Sequence, residues 1–377
     1  MAGIYLHIPF CRQACHYCDF HFSTSHKNKD EFVASLLKEI EIRSDYLQGE
    51  KIETIYFGGG TPSLLSTDEI ARIIDRLQEH HDLSGVKEIT LEANPDDLTA
   101  TYLRKLRNTP VNRLSIGIQS FRDEDLKLMN RAHDSRQALR CVPEAADIGF
   151  ENITIDLIYG IPGLTMSDWK RNLETALQLP VNHLSSYCLT VEPKTALAFQ
   201  VNKGTIPAVD DDAAADQFDY LIEYTEAAGM PWYEVSNFAK PGFESKHNSS
   251  YWTGARYLGL GPSAHSFNGK NRSWNVKSNA GYIQQINENR LPSEEETLTS
   301  EERFNEVVLT SLRTRKGLTL SDIRKYANEN TLKLILEKCR KKSDLGLLII
   351  NDENIVLTRK GLLFADAIRS EERRVGK

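Results

Sequence analysis

Short apolar segments alternate with longer helical patterns over most of this 377-residue chain. Phe32, Leu36 and Ile40 recur at helical spacing, and Ser66 with Glu69 forms a capping-box pattern that opens the next helix. The apolar segments have the length of buried strands, and they read IYLHI (4–8), ETIYFGG (53–59), EITLEAN (88–94), RLSIGIQ (113–119), NITIDLIYG (152–160) and HLSSYCLTV (183–191). Strands that alternate with crossover helices are typical of a parallel sheet. The sequence therefore predicts an α/β fold whose successive strands form a barrel or a partial barrel.

Glycine, cysteine and polar residues collect where the predicted strands end. In barrels and open α/β sheets the carboxyl ends of the parallel strands meet at one edge, and ligands bind there. The residues in question are Cys11 onward, Gly58 to Thr61, Glu92 to Pro95, Gln119 with Ser120, and Asp156 to Gly163. We therefore expect a ligand site at this edge of the sheet.

The regular alternation ends near residue 230, where a Gly-, Ser- and aromatic-rich stretch of about 230–290 begins. A polar, acidic segment follows and predicts a domain boundary, which gives a first domain of residues 1–295 and a second of residues 296–377. The second domain has three helical patterns and then two strand-like runs about a polar turn at Asn351 to Asn354. This order is typical of a winged helix, a shape that carries no function by itself. The charged terminal SEERRVGK is expected to be frayed and not to belong to the native protein.

Composition limits the class of protein. A formal net charge of −7 argues against a surface that binds nucleic acid, because such surfaces are normally basic. No apolar run approaches the roughly 20 residues that span a bilayer, and the opening MAGIYLHIPF lacks the basic region of a signal peptide. The six cysteines are few for this length, and three of them crowd into one loop, unlike the cysteines of a disulfide-stapled secreted protein. We expect a cytoplasmic protein.

The three crowded cysteines lie in CRQACHYC, directly after the first predicted strand, as Cys11, Cys15 and Cys18. A structural zinc site would need a fourth ligand, commonly from a second cysteine pair, and the chain has no such pair. A CxxC redox motif would explain Cys15 and Cys18 and leave Cys11 incidental. An iron–sulfur cluster bound by three thiolates would leave one iron open to a chelating molecule. The residues favour the cluster without excluding the other two sites.

The spacing CxxxCxxC after the first strand of a partial barrel resembles the motif of the radical S-adenosylmethionine (SAM) superfamily. The resemblance implies a partial (β/α)6-type barrel and a 4Fe–4S cluster on Cys11, Cys15 and Cys18, with the amino and carboxylate groups of S-adenosylmethionine on the open iron. It also implies which side chains form the pocket for that cofactor. These residues are Tyr5, Tyr17, Gly59, Gly60, Thr61, Glu92, Gln119, Arg131 and Asp156.

Further motifs narrow the resemblance to the group that comprises oxygen-independent coproporphyrinogen III dehydrogenases and HemW-type haem chaperones. These motifs are YLHIPFC, GGGTPS, RLSIGIQSF, DLIYGIPG, YEVSNFA, HNSSYW and YLGLGPSAHS. The dehydrogenases carry a further cysteine two positions after the triplet, where this chain has Phe20, and an extension ahead of the first strand, which here begins almost at Met1. Both differences favour the chaperone.

The resemblance also points to a haem ligand. In HemW-type proteins the histidine of HNxxYW is the proposed ligand, and here it is His247. Imidazole is a common axial ligand of haem iron, and Tyr251, Trp252, Tyr257 and Phe267 could supply the flat apolar walls that a porphyrin needs. The alternative ligand is His265 in AHS.

The resemblance thus implies a haem chaperone that holds a 4Fe–4S cluster, S-adenosylmethionine and haem, and that passes haem to haem-dependent proteins, respiratory ones at the inner face of the membrane. A peripheral membrane association and a homodimer are further expectations of the resemblance. Two alternatives stay open: a radical SAM coproporphyrinogen III dehydrogenase of porphyrin biosynthesis, and a zinc-stabilised scaffold that recognises a partner.

Overall fold

A computed structural model describes residues 2–326 and 328–365, and it divides the chain into two units. The first unit runs to Gln217 and resumes at Arg256–Glu296. The second unit contains Phe218–Ala255 and the chain from Thr297 onward. Strands and helices are numbered below in chain order.

The first unit is built on six parallel strands, and each overlaps one of the six predicted segments. They are β1 Ala2–Ile8, β2 Ile52–Gly59, β3 Glu88–Ala93, β4 Arg113–Gln119, β5 Asn152–Tyr159 and β6 His183–Cys188. Each strand pairs in parallel with the next one along the chain, from β1 to β6. All seven residues of β4 are buried, as expected for a parallel strand with both faces covered. The predicted α/β partial barrel is confirmed.

Helices connect these strands and cover the sheet. They are α1 Lys29–Ile42, α2 Thr67–His80, α3 Ala100–Leu106, α4 Asp123–Leu128, α5 Ser135–Asp147, α6 Met166–Gln178 and α7 Ala196–Asn202, and α8 Asp211–Ala227 contains the division between the units. The predicted capping box is present, because Ser66 accepts from the Glu69 amide and the Glu69 side chain accepts from the Ser66 amide. The apolar stripe of α2, which includes Ile70 and Leu77, is buried.

The sequence shows no regular pattern where the sheet continues beyond β1. Strand β9 Arg256–Leu260 pairs in parallel with β1, and β10 His265–Phe267, β11 Asn271–Asn275 and β12 Ser293–Thr297 follow in that order, with α10 Asn279–Asn287 between the last two. A fully buried carboxylate fastens this extension to α1. Glu39 accepts hydrogen bonds from the Tyr282 hydroxyl (2.6 Å), the Asn275 amide (2.7 Å) and the Gly261 backbone (2.8 Å).

The second unit contains a small antiparallel sheet with three helices before its hairpin, as the winged-helix pattern predicted. Its elements are β7 Trp232–Glu234, β8 Asn237–Ala239, α9 Lys246–Trp252, α11 Ser300–Ser311, β13 Leu318–Thr319, α12 Leu320–Tyr326, α13 Glu329–Asp344, β14 Leu348–Ile350, β15 Asn354–Leu357 and α14 Arg359–Leu362. The three-stranded sheet has the order β13-β15-β14. SEERRVGK lies outside the described residues.

The division of the chain differs from the predicted continuous domain of residues 1–295. The second boundary falls at Glu296/Thr297, but residues 218–255 belong to the second unit. The two segments of the second unit are in contact, since the Arg313 guanidinium lies 3.1 Å from the buried carboxylate of Glu234. No helix within the described residues is long and apolar enough to cross a membrane.

Candidate functional site: the cysteine loop and the strand ends

The cysteine loop begins two residues after β1, at the carboxyl edge of the parallel strands. Its two ends are joined, because the Cys11 amide donates to the Ser23 carbonyl (3.0 Å) and the Ser23 amide donates to the Pro9 carbonyl (2.8 Å). Within the loop the Cys18 amide donates to the Cys15 carbonyl at 3.3 Å. The chain therefore forms a closed loop that carries all three cysteines.

The turn after α4 holds the middle of this loop through hydrogen bonds. His16 donates twice, from its amide to the Met129 carbonyl (3.0 Å) and from Nδ1 to the Leu128 carbonyl (2.9 Å). Asn130, held at φ +55°, donates from its side chain to the Ala14 carbonyl at 2.8 Å. These contacts hold the middle of the loop against the turn after α4.

Each cysteine sulfur has a hydrogen-bond donor. The Thr61 hydroxyl lies 3.5 Å from Cys11 Sγ, Arg131 Nη1 lies 3.2 Å from Cys15 Sγ, and the Phe20 amide donates to the sulfur of Cys18. Burial raises the pKa of the Cys18 thiol to about 11 and also raises that of Cys11. The thiols must therefore lose protons when they bind a metal, and the donors stabilise the resulting thiolates.

The donor set fits an iron–sulfur cluster. Within the described residues no three His, Cys, Asp or Glu side chains converge on a single metal ion. A cuboidal cluster has no need of such convergence, because each thiolate binds a different iron atom. Three thiols on one closed loop, each with a donor at its sulfur, suit this kind of group.

The glycines at the end of β2 pack directly against β1 and the residues that lead into the cysteine loop. The Gly60 amide donates to the Ile8 carbonyl (2.9 Å), and a Cβ on Gly60 would lie 2.6 Å from the Phe10 carbonyl oxygen. Gly59 has φ +108°, and a Cβ there would lie 2.6 Å from the His7 ring. Only glycine fits at both positions.

Two carboxyl groups line the same edge. Glu92 accepts from the Tyr56 hydroxyl at 2.7 Å and from the Gly59 amide at 3.2 Å. Burial, together with the charge of Asp156, raises the pKa of Glu92 to about 7, despite the hydrogen bond from Tyr56. Burial likewise raises the pKa of Asp156 to about 6, against a hydrogen bond with Ser185. Both groups can thus change protonation state near neutral pH.

Gln119 ends β4 in an unusual backbone conformation. Its φ is +68°, and the Ser120 amide donates to the Ile118 carbonyl at 2.8 Å, which makes Gln119 the centre of a γ-turn. The Ser120 hydroxyl donates a hydrogen bond to the Asp125 carboxylate (2.6 Å), which stabilises the turn. Positive φ costs energy at a residue other than glycine, and such strain clusters at functional sites.

Arg131 joins three parts of the site. It contacts Cys15 through Nη1, while Nη2 donates to the Asn94 side chain (2.7 Å) and the Gly117 carbonyl (2.8 Å). Its pKa is raised by the nearby Tyr17 and Cys15 although burial opposes this, so the guanidinium stays charged.

The two predicted aromatic residues also lie here. Tyr5 stacks on Tyr56 with ring centroids 6.1 Å apart, and its hydroxyl contacts His7 Nδ1 at 3.2 Å. Burial raises the pKa of Tyr17, whose hydroxyl interacts electrostatically with Arg131. The residues predicted for the cofactor pocket are therefore gathered at one edge of the sheet. The sequence did not single out Asn94 or Tyr56, although Asn94 lies at a predicted strand end.

The predicted haem ligand lies in the second unit. His247 is fully buried on α9, and its Nε2 is 2.8 Å from the Tyr251 hydroxyl. Trp252, at the end of the same helix, packs under Arg313 with the guanidinium 5.1 Å from the ring centroid. The alternative, His265, is exposed on β10 of the first unit, and the structure assigns Tyr257 and Phe267 to that unit as well.

The parallel barrel and the three-cysteine loop define the class of protein. A family model for the Radical SAM superfamily matches residues 5–176, and one for the HemN C-terminal domain matches residues 298–364. Among solved structures, coproporphyrinogen III oxidase (HemN) from Escherichia coli, described as a radical SAM enzyme, superposes with a TM-score of 0.84 at 25% identity and covers 99% of this chain and 90% of that one.

Similar proteins of known sequence narrow the class. Proteins described as heme chaperone HemW are 36% identical over 371 residues in Mycobacterium tuberculosis (97% of this chain, 93% of that protein) and 35% identical over 372 residues in Bacillus subtilis (98% of each). A third, from Escherichia coli, is 38% identical over 267 residues, or 70% of this chain and 69% of that protein. The chain belongs to the HemW family of radical SAM proteins.

Proposed function

We propose that this protein is a haem chaperone, which binds haem and delivers it to haem-dependent proteins. The observation that carries the proposal is the match to heme chaperones over nearly the full length of both chains, in a protein with Phe20 at the position of the dehydrogenases' further cysteine. The Phe20 side chain is 69% exposed, and it offers no ligand there.

The proposal assigns a 4Fe–4S cluster to Cys11, Cys15 and Cys18 and S-adenosylmethionine to the surrounding strand ends. When bound, the cluster would offer an open iron to the amino and carboxylate groups of S-adenosylmethionine. Gly59 and Gly60, which lie against the His7 ring and the Phe10 backbone, are proposed to contact that ligand through their backbone, and Thr61 and Arg131 direct hydrogen bonds at the cysteines. Tyr5, Tyr17, Glu92, Gln119 and Asp156 complete the pocket. In a chaperone these groups order the barrel and couple the state of the cofactor to haem transfer.

His247 is the proposed haem ligand, and its burial sets a condition. Haem iron can bind Nε2 only after the contact with Tyr251 opens and α9 exposes the imidazole. The proposal therefore includes an opening of α9 during haem uptake. The proposed acceptors are respiratory haem proteins, to which the protein delivers haem at the cytoplasmic surface of the membrane. The proposed oligomeric state is a homodimer.

The test is a haem titration followed by the Soret absorbance. We expect saturable binding by the purified protein, a large loss of affinity in His247→Ala, and no change in a His80→Ala control at the C-terminal end of α2. Unchanged haem binding in His247→Ala, together with a loss of binding in His265→Ala, would identify His265 as the haem ligand instead. The chaperone assignment fails if the intact protein does not bind haem. It also fails if anaerobic incubation with coproporphyrinogen III, reductant and S-adenosylmethionine yields decarboxylated porphyrinogen.

A further inference from the structure

A continuous chain of hydrogen bonds joins two of the three cysteine sulfurs. It runs from Cys15 Sγ to Arg131 Nη1 (3.2 Å), from Arg131 Nη2 to Asn94 Oδ1 (2.7 Å), from Asn94 Nδ2 to Thr61 Oγ1 (3.3 Å), and from Thr61 Oγ1 to Cys11 Sγ (3.5 Å). The middle of this chain is the side chain of Asn94, which follows β3 and touches neither sulfur.

The chemistry of its neighbours fixes how the Asn94 amide is oriented. A guanidinium has donors only, so the oxygen of the amide must face Arg131. The NH2 group then faces Thr61 and donates to its hydroxyl oxygen. That hydroxyl has one proton, and because its oxygen already accepts from Asn94, the proton is directed at the sulfur of Cys11. One amide thus orients the donors of two sulfurs.

We propose that Asn94 is a positioning residue that raises the reduction potential of the cluster bound by the loop. Hydrogen bonds to the sulfurs stabilise the more negative, reduced form of an iron–sulfur cluster, and groups beyond the ligands tune a metal centre in this way. Without the Asn94 oxygen, Arg131 keeps only the Gly117 carbonyl as an acceptor for Nη2. Without the Asn94 NH2 group, the Thr61 hydroxyl is free to turn away from Cys11. The inference rests on the cluster site proposed above.

The test is a redox titration of the reconstituted cluster, monitored by electron paramagnetic resonance in the absence of S-adenosylmethionine. At the midpoint potential of the unsubstituted protein, we expect Asn94→Ala to lower the ratio of reduced to oxidised cluster about tenfold, which is a shift of about 59 mV for one electron. Thr61→Val should give a smaller shift in the same direction. In the Asn94→Ala background Thr61→Val should add little, because the hydroxyl has already lost its orientation.

Asn112→Ala is the matched control. The Asn112 side chain also bridges two groups, since it accepts from the Ile89 amide (2.8 Å) and donates to the Lys87 carbonyl (3.1 Å), but it does so near the opposite end of β3 and takes no part in the chain of hydrogen bonds between the sulfurs. If Asn94→Ala does not retain the cluster, the redox titration is carried out on Asn94→Asp instead. In that variant the carboxylate still accepts from Arg131 but cannot donate to Thr61. A shift no larger than that of Asn112→Ala overturns the inference. Failure of the unsubstituted protein to take up iron and sulfide would overturn the cluster site instead.

Discussion

Single residues at the strand ends adopt conformations that only their surroundings make stable. Gln119 has φ +68° inside a γ-turn. Its side-chain amide lies against Gly117, and a Cβ added to Gly117 would come within 2.8 Å of Gln119 Nε2. A residue held in such a conformation costs about 1–3 kcal/mol, which the neighbouring packing must offset. Ser120 provides part of that offset through Asp125 and Asn172. The strain places the amide of Gln119 at the edge where the cofactor pocket is proposed.

Gln119→Gly should therefore stabilise the protein but weaken the binding of S-adenosylmethionine in the proposed pocket. Glycine removes the cost of positive φ but gains freedom in the unfolded chain, so the net gain in the free energy of unfolding is about 1 kcal/mol. Gln119→Ala keeps the strain and loses the same amide. Urea denaturation of the cluster-free protein should separate the two variants, and equilibrium dialysis of S-adenosylmethionine against the reconstituted protein should show weaker binding in both. Equal free energies of unfolding in the two variants would show that the positive φ at position 119 does not cost stability.

The carboxyl groups of Glu92 and Asp156 make stability depend on pH. Their folded pKa values, about 7 and about 6, lie above the ordinary values of 4.5 and 3.8, so the folded state binds protons more tightly than the unfolded state does. The free energy of unfolding should then fall as pH rises from about 4 to 7.

In Glu92→Gln the fall should end near pH 6, because only Asp156 still titrates. Chemical denaturation of the cluster-free protein at half-unit steps of pH measures this. An unchanged profile in the variant would show that Glu92 is not the group responsible.

At the scale of elements, the cysteine loop and α9 differ in how they are held. The loop is fixed by the turn that follows α4, through His16 and Asn130, and its cysteines remain partly accessible. Helix α9 has Ser245 as its N-cap, buries His247 completely and contributes Trp252 to the contact with Arg313. The cysteines of the loop are thus accessible to the proposed cluster, whereas α9 would have to rearrange before His247 could bind haem.

Tyr251→Phe should strengthen haem binding if His247 is the ligand. The variant removes the hydroxyl that contacts Nε2 at 2.8 Å and so favours the open state of α9. A hydrogen bond of this kind contributes about 1 kcal/mol, which predicts an affinity about five times higher. Stopped-flow haem binding should show the change, with Tyr224→Phe on α8 of the same unit as a control. Weaker binding in Tyr251→Phe would instead indicate that the phenol itself holds the haem.

At the scale of the whole molecule, the sequence predicts what depends on local patterns and misses what depends on distant partners. The strands β1 to β6 follow from aliphatic runs, and α2 from its capping box, because those signals lie within a few residues of each other. Asn94 accepts a hydrogen bond from Arg131 and donates one to Thr61, and both bonds join residues more than 30 positions apart. No local pattern of the sequence predicts them. The grouping of residues 218–255 with the C-terminal segment likewise involves distant partners, such as Glu234 and Arg313.

The Glu234–Arg313 pair leads to a prediction for the whole chain. Glu234 is fully buried and also accepts from the Ser236 amide (2.9 Å), so Arg313→Ala would leave a buried carboxylate without its cation, at a cost of about 3–5 kcal/mol. We expect faster hydrogen exchange in residues 232–252 and also in residues 300–320, with unchanged exchange in β4, because local stability is lost in cooperative units. Arg315→Ala, which removes a comparable stacking contact with Trp232 at 5.7 Å but only an exposed ion pair with Glu226, should have little effect. Exchange that rises in 300–320 alone would show that residues 218–255 are stabilised independently of the C-terminal segment.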